Sequence, residues 1–231
     1  MPTALITGAN RGLGLEFTRQ YAAEGWQVLA CCRRPAEADA LNAVAQRSSG
    51  KVRVLALDVA DLNAIDALAK TLQDTAIDLV INNAGIYPDH HSDFGKTDYE
   101  AWMQAFRINT MAPLKVAEAF VPHLERGAGK LIATVSSKMG SLDDNTSGGC
   151  YLYRSSKTAV NMVMKSLSLD LAARGIRAVI LHPGWVQTDM GGPNALINAE
   201  QSVSGMRRVL ANVTSEQSGH FFSYDGKEIP W

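Results

Sequence analysis

Short apolar runs, most of them closed by Gly, Asn, Asp, Ser or His, recur along this 231-residue chain and alternate with longer stretches of helical period. The runs predict strands at 3–7, 27–32, 52–57, 78–82, 130–136, 177–182 and 220–223. Between them, apolar residues return every three or four positions, which predicts helices near 13–24, 36–47, 62–73, 97–124, 151–174 and 200–211. Strands that are apolar on both faces and alternate with helices build a parallel sheet covered on both sides. No repeat, low-complexity tract or Pro/Ser linker breaks the pattern, so one α/β domain over 1–231 is expected.

Composition narrows the picture. A hydrophobic content of 46% with 19% charged residues is that of a soluble globular protein. A net charge of −1 argues against nucleic acid or an anionic membrane as the main partner. No apolar run approaches the roughly 20 residues that a transmembrane helix needs. The start, Met1-Pro2-Thr3, lacks the basic region of a signal peptide. Three cysteines, Cys31, Cys32 and Cys150, make a poor disulfide framework and fit a reducing cytoplasm.

Candidate chemistry begins where the first strand ends. Thr7-Gly8-Ala9-Asn10-Arg11-Gly12-Leu13-Gly14 has the spacing GxxxGxG and opens a helix. Gly8 permits a tight turn, Gly12 lets the backbone approach a pyrophosphate, and Gly14 allows close helix–strand packing. The phosphates would then sit at the helix N-terminus. At the end of the second strand, an NAD site places an acidic residue for the ribose 2′-hydroxyl. Here Cys31-Cys32-Arg33-Arg34 stands instead, with no carboxylate before Glu37. Arg33 offers a planar donor fork to a 2′-phosphate and Arg11 a second cation, so NADP(H) is favoured over NAD(H). Asp58, followed by Val59, is placed to accept from an adenine amino group, while Asp61 is the better helix cap. In Asn82-Asn83-Ala84-Gly85, small residues leave room for a ribose and an Asn side chain can tie strand ends together.

A second group of residues carries proton chemistry. Tyr153-Arg154-Ser155-Ser156-Lys157 places a phenol and an ammonium one helical turn apart, where the charge would lower the phenol's pKa. Such a tyrosine gives a proton to a carbonyl oxygen or takes one from an alcohol. The fifth strand ends in Ser136-Ser137, hydroxyls able to polarise a carbonyl. Asn109, inside a long helical pattern, suggests a local kink or a water-holding carbonyl, or simply a solvated face. His182-Pro183-Gly184-Trp185-Val186-Gln187-Thr188 turns after the sixth strand, with Thr188 able to bind a carboxamide. His90-His91 between Asp89 and Asp93 reads as a polar rim, since adjacent histidines point apart and no cysteine joins them. Met162, Met164, Leu167 and Leu171 read as core or subunit contact, and Cys150 as a reactive thiol only where exposed.

In sequence order, Thr7–Gly14, Asp58, Asn82–Gly85, Asn109, Ser137, Tyr153/Lys157 and Pro183–Thr188 resemble the short-chain dehydrogenase/reductases of the YxxxK type over essentially the whole chain. Segments 136–149 and 224–231 resemble the sniffer-type carbonyl reductase and C-factor group within it. The resemblance implies a Rossmann-type doubly wound parallel sheet of about seven strands with helices on both faces. It makes Tyr153 the acid/base, and Lys157 the group that tunes it and holds the nicotinamide ribose. Ser137, rather than Ser136, orients the carbonyl, and Asn109 holds a water linking Lys157 to solvent. The cofactor would be lined by Gly8, Asn10, Arg11, Gly12, Leu13 and Gly14, by Arg33, Asp58 and Val59, and by Asn83, Ala84 and Gly85. Beyond Tyr153 and Lys157, Pro183, Gly184, Val186 and Thr188 complete it; no metal is implied. Sixteen positions separate Ser137 from Tyr153, more than the family's usual spacing, which assigns 143–149 to the substrate rim. The expected activity is NADPH-dependent reduction of a small aldehyde, ketone or quinone to an alcohol, by a homodimer or homotetramer. The alternative is a C-factor-like signalling protein that binds NAD(P) with little turnover.

Overall fold

A computed structural model describes residues 1–89 and 94–231. Seven parallel strands form one sheet in the order β3-β2-β1-β4-β5-β6-β7. They are β1 (Thr3–Thr7), β2 (Gln27–Cys32), β3 (Val52–Ala56), β4 (Leu79–Asn82), β5 (Leu131–Val135), β6 (Arg177–His182) and β7 (Phe221–Ser223). The helices are α1 (Gly12–Ala23), α2 (Asp39–Arg47), α3 (Leu62–Thr71), α4 (Tyr99–Phe106), α5 (Ala112–Arg126), α6 (Tyr151–Asp170) and α7 (Ala199–Asn212). The parallel sheet expected from the alternation is present, and it is doubly wound as the family resemblance implies.

Successive strand residues point to opposite faces, and the two hydrophobic layers follow that rule. Leu5, Leu29, Val80, Ile132 and Ile180 pack with α3, α5 and α6 through Ile65, Phe120 and Met164. Ala4, Ile6, Val28, Ile81, Ala133 and Val179 pack on the other face with α1, α2 and α7 through Phe17, Leu41 and Met206. Val–Ile–Leu runs without alternation are therefore what a sheet buried on both faces requires. The strand order reverses between β1 and β4, which opens a crevice at the carboxyl ends of those strands.

One long element divides. The helix expected over 97–124 is α4 and α5 joined by a π-helical turn, Arg107–Met111. Pro113 has no N–H for the carbonyl of Asn109 four residues earlier, and its ring crowds that carbonyl, so the backbone widens there. Among the alternatives for Asn109, the kink is therefore observed. Asp61 accepts from Asn63 N and Ala64 N and caps α3, as expected. Met164, Leu167 and Leu171 are core, whereas Met162 is exposed. Among the described residues no helix is long and apolar enough to cross a membrane. The rim reading of His90-His91 lies outside the described residues.

Candidate active site

The crevice is floored by close backbone contacts. Gly8, at φ 65°, sits so near the end of β4 that a Cβ would lie 2.9 Å from Ala84 Cα. A Cβ on Gly14 would lie 2.2 Å from the Gly8 carbonyl oxygen. Asn83 locks this arrangement by donating from Nδ2 to the carbonyls of Thr7 (2.9 Å) and Gly8 (3.1 Å). Asn82 similarly donates to Thr134 Oγ1 at 3.3 Å, so both asparagines tie strand ends as their short amides suggested.

At the mouth of this turn, α1 starts without a side-chain cap and without an acidic residue in its first turn. A helix N-terminus left in that state, over a glycine cradle, fits a dinucleotide pyrophosphate. Arg33 is exposed just beyond β2, and among the described residues it carries no ion pair, whereas Arg34 pairs with Glu37 at 2.8 Å. Arg11 differs from expectation. Its Nη1 lies 2.5 Å from Asp189 Oδ2, bridging the glycine turn to the loop after β6, so its charge is already partly neutralised. Asp58 is exposed and accepts from Ala60 N at 2.9 Å, while Val59 is buried in the α3-side core. Pro183, Gly184, Val186 and Thr188 form the loop after β6, and a Cβ on Gly12 would lie 3.4 Å from Thr188 Cγ2. Asn10 and Leu13 stand within the glycine turn and the first turn of α1.

On the other side of the crevice, α6 turns Tyr153 and Lys157 inward, both buried. The Ser137 hydroxyl neighbours Tyr153 and favours its ionised form. Ser137 also accepts from Met139 N at 3.1 Å, which fixes the short turn Lys138–Gly140. The two serines are separated by structure: Ser136 donates to Asn161 Oδ1 at 2.6 Å and is fully engaged, leaving Ser137 as the hydroxyl beside the tyrosine. Lys157 Nζ donates to the Val135 carbonyl at 2.9 Å and lies 5.6 Å from the centre of the Tyr153 ring. A Cβ on Gly85 would come within 3.6 Å of that Nζ and 3.3 Å of Asn109 Oδ1, so the two halves of the site meet at Gly85.

Asn109 clamps rather than dangles. Its Oδ1 accepts from Ile86 N (2.9 Å), and its Nδ2 donates to the Ile86 carbonyl (3.0 Å) and to Ser156 Oγ (3.0 Å). Thr110 adds a bond to the Ser156 carbonyl at 2.8 Å. The π turn thus grips α6 between Tyr153 and Lys157.

Electrostatics depart from the simple picture of a lysine acidifying a phenol. Burial pushes Tyr153 up to about 12, with the neighbouring Ser137 hydroxyl offsetting part of the rise. Burial also lowers Lys157 to about 8. Desolvation dominates both groups, because each charged form has lost its water. At neutral pH the phenol therefore holds its proton, ready to donate.

The segment 143–149, expected at the substrate rim, spans two places: Asp144 pairs with Lys138 Nζ at 2.7 Å, next to Ser137, and later residues border a groove on α6. Asn145, Gly148 and Gly149 line a groove of about 420 Å³ with Tyr151, Arg154, Ser155, Thr158 and Met162. Those residues lie on the side of α6 turned away from Tyr153 and Lys157. Three residues to which the sequence assigned no role in the chemistry also belong to the site's frame. Asp89 accepts from Leu152 N and Tyr153 N, and Tyr87 packs on Tyr153. His182 Nδ1 accepts from Lys138 N at 3.2 Å, with burial lowering its pKa to about 4.

A sheet of this order with its chemistry on β5 and α6 defines a class of dinucleotide-dependent oxidoreductase. The chain belongs to the short chain dehydrogenase family, whose model matches residues 2–196. It is 47% identical over 165 residues to the C-signal of Myxococcus xanthus, covering 71% of this chain and 99% of that protein. Among solved structures it is similar to the carbonyl reductase Sniffer of D. melanogaster, at 33% identity over the whole of both chains and a TM-score of 0.93. It is equally similar to the NADPH-bound carbonyl reductase from chicken fatty liver, at 34% identity, a TM-score of 0.93, and coverage of 100% and 99%.

Proposed function

We propose that the protein is an NADPH-dependent carbonyl reductase in which Tyr153 is the general acid. The observation that carries this reading is the buried Tyr153, with Ser137 as its neighbour and Lys157 Nζ 5.6 Å from its ring, across Gly85 from the glycine cradle. The family and the two carbonyl reductase neighbours support it.

Bound NADPH would supply the hydride at the nicotinamide ring. Gly8, Asn10, Gly12, Leu13 and Gly14 would hold the pyrophosphate. Arg33 would pair with the 2′-phosphate, with Arg11 a weaker second cation. Asp58 and Val59 would border the adenine, and Asn83, Ala84 and Gly85 the ribose. Pro183, Gly184, Val186 and Thr188 would hold the nicotinamide end. Ser137 donates a hydrogen bond to the substrate oxygen, which raises the carbonyl's polarity and fixes its distance from the phenol. Tyr153 then passes its proton to that oxygen as negative charge builds on it. Lys157, charged below about pH 8, stabilises the phenolate left behind, and Asn109 keeps α6 in register while the proton is replaced from solvent.

We place the enzyme in the cytoplasm and expect a homodimer or homotetramer through the helices that leave Tyr99, Met103 and Met162 exposed. Sedimentation at micromolar concentration tests the assembly, a monomer of 24.9 kDa being the contrary result. The activity is tested by following NADPH consumption with aldehydes, ketones and quinones. The similarity to the C-signal favours a second reading, a signalling protein with little turnover. Tight NADPH binding without consumption across the panel would select it.

A further inference from the structure

Three helices start on a side chain built to cap them. Asp61 caps α3, Asp98 accepts from Ala101 N at the start of α4, and Asn198 forms a capping box with Gln201 on α7. The 20-residue α6, which carries the phenol and the ammonium, does not start this way. Its cap position is Cys150, whose side chain makes no cap bond, and its first turn holds no acidic residue. Gly148, Gly149 and Cys150 all adopt positive φ (66°, 64° and 48°), a sharp entry that is strained at the non-glycine Cys150.

The unmet N–H groups of a helix start require partners. Here they come from a segment far away in sequence. Asp89 Oδ1 accepts from Leu152 N at 3.3 Å, and Oδ2 accepts from Tyr153 N at 2.6 Å. Two further contacts bind the same segment to the helix start. The Tyr87 hydroxyl lies 3.2 Å from Cys150 Sγ, and its ring meets Tyr153 edge-on, with centroids 4.8 Å apart at 62°. The carboxylate therefore bonds the backbone of the residue that carries the reacting hydroxyl, at the end of the helix where negative charge is favoured.

We infer that Asp89, braced by Tyr87, is a positioning residue that caps α6 from outside and sets where the Tyr153 hydroxyl stands. The segment leaves β4 through Asn83–Gly85, the ribose side of the crevice, so one stretch of chain fixes both the cofactor's neighbourhood and the acid. A displacement of about 1 Å at a reacting group costs on the order of a hundredfold in rate, which gives such a cap kinetic weight beyond stability. The inference rests on the reductase reading for its kinetic consequence but not for its structural one.

The test compares Asp89→Ala, Asp89→Asn and Asp61→Ala, the last removing an equivalent cap from α3, a helix that carries no catalytic residue. With NADPH and menadione as probes, Asp89→Ala is expected to lose at least about tenfold in kcat, with NADPH affinity within about threefold of wild type. Asp89→Asn keeps an oxygen for Tyr153 N and should stay within about threefold of wild-type kcat. Asp61→Ala should lose thermal stability yet keep its kcat. Amide exchange supplies the arm independent of turnover: Leu152 and Tyr153 N–H should exchange at least about tenfold faster in Asp89→Ala but not in Asp61→Ala. An Asp89→Ala enzyme with wild-type kcat, or a kcat loss matched by Asp61→Ala, overturns the inference. Should the wild type reduce neither menadione nor any other carbonyl of the panel, the reductase reading fails by itself, and unchanged exchange at Leu152 and Tyr153 still overturns this one.

Discussion

Lys157 Nζ stands 5.6 Å from the centre of the Tyr153 ring, but its hydrogen bond goes to the Val135 carbonyl at 2.9 Å. The ammonium is thus anchored to the end of β5, and Ser137, the phenol's neighbour, follows that same strand end. One strand terminus borders both groups, and both have paid for burial in opposite directions on the pH scale.

That burial has a measurable sign. Lys157 titrates near 8 in the fold against 10.5 for an exposed lysine. Between those values the unfolded chain binds a proton that the folded chain has released, so stability rises with pH across this window. Lys157→Met removes the effect. Urea unfolding at about pH 7.5 and about pH 9.5 should show wild type gaining stability relative to Lys157→Met at the higher pH. A constant difference would mean that the ammonium is better solvated than its burial implies.

Cofactor choice should rest on Arg33 more than on Arg11, because Asp189 already occupies the latter. Wild type is expected to bind NADPH at least about tenfold tighter than NADH, or ~1.4 kcal/mol. Arg33→Ala should abolish most of that preference by weakening NADPH alone, and Arg11→Ala should reduce it less. Fluorescence titration of both cofactors checks this; equal affinities in wild type contradict it.

Gly14→Ala would put a methyl 2.2 Å from the Gly8 carbonyl oxygen, a backbone atom that cannot swing aside. A loss of about 1–3 kcal/mol in stability is expected, together with severe loss of dinucleotide binding. Thermal unfolding and NADPH titration of the same sample measure both. Unchanged binding would show that the cradle is not the phosphate site.

The fold was legible because its signal is local. The runs at 130–136 and 177–182 are strands by apolar content alone, and their bounds differ little from the observed Leu131–Val135 and Arg177–His182. The glycine turn and the Tyr153/Lys157 pair were legible for the same reason, since each is a short motif. What escaped was contact at long range. Asp89 caps a helix 63 and 64 residues away, and nothing beside it announces that. The only local sign was negative, a cysteine where a capping residue belongs. The pKa of Tyr153 was misjudged because charge proximity is visible in spacing while desolvation is not. The length of segment 143–149 points to a rim but does not show its course, in which Asp144 pairs with Lys138 beside Ser137 while Asn145, Gly148 and Gly149 line the groove on the outer side of α6.

The central claim is that the Tyr153 proton is the one delivered. The most direct measurement is NADPH consumption with menadione by wild type, Tyr153→Phe and Tyr151→Phe, alongside NADPH binding by each. Tyr153→Phe should lose two or more orders of magnitude in turnover while still binding NADPH, because the ring remains and only the hydroxyl is gone. Tyr151, exposed on the outer groove, serves as control and should retain most activity when changed to Phe. Turnover that survives in Tyr153→Phe and is lost in Tyr151→Phe would contradict the assignment.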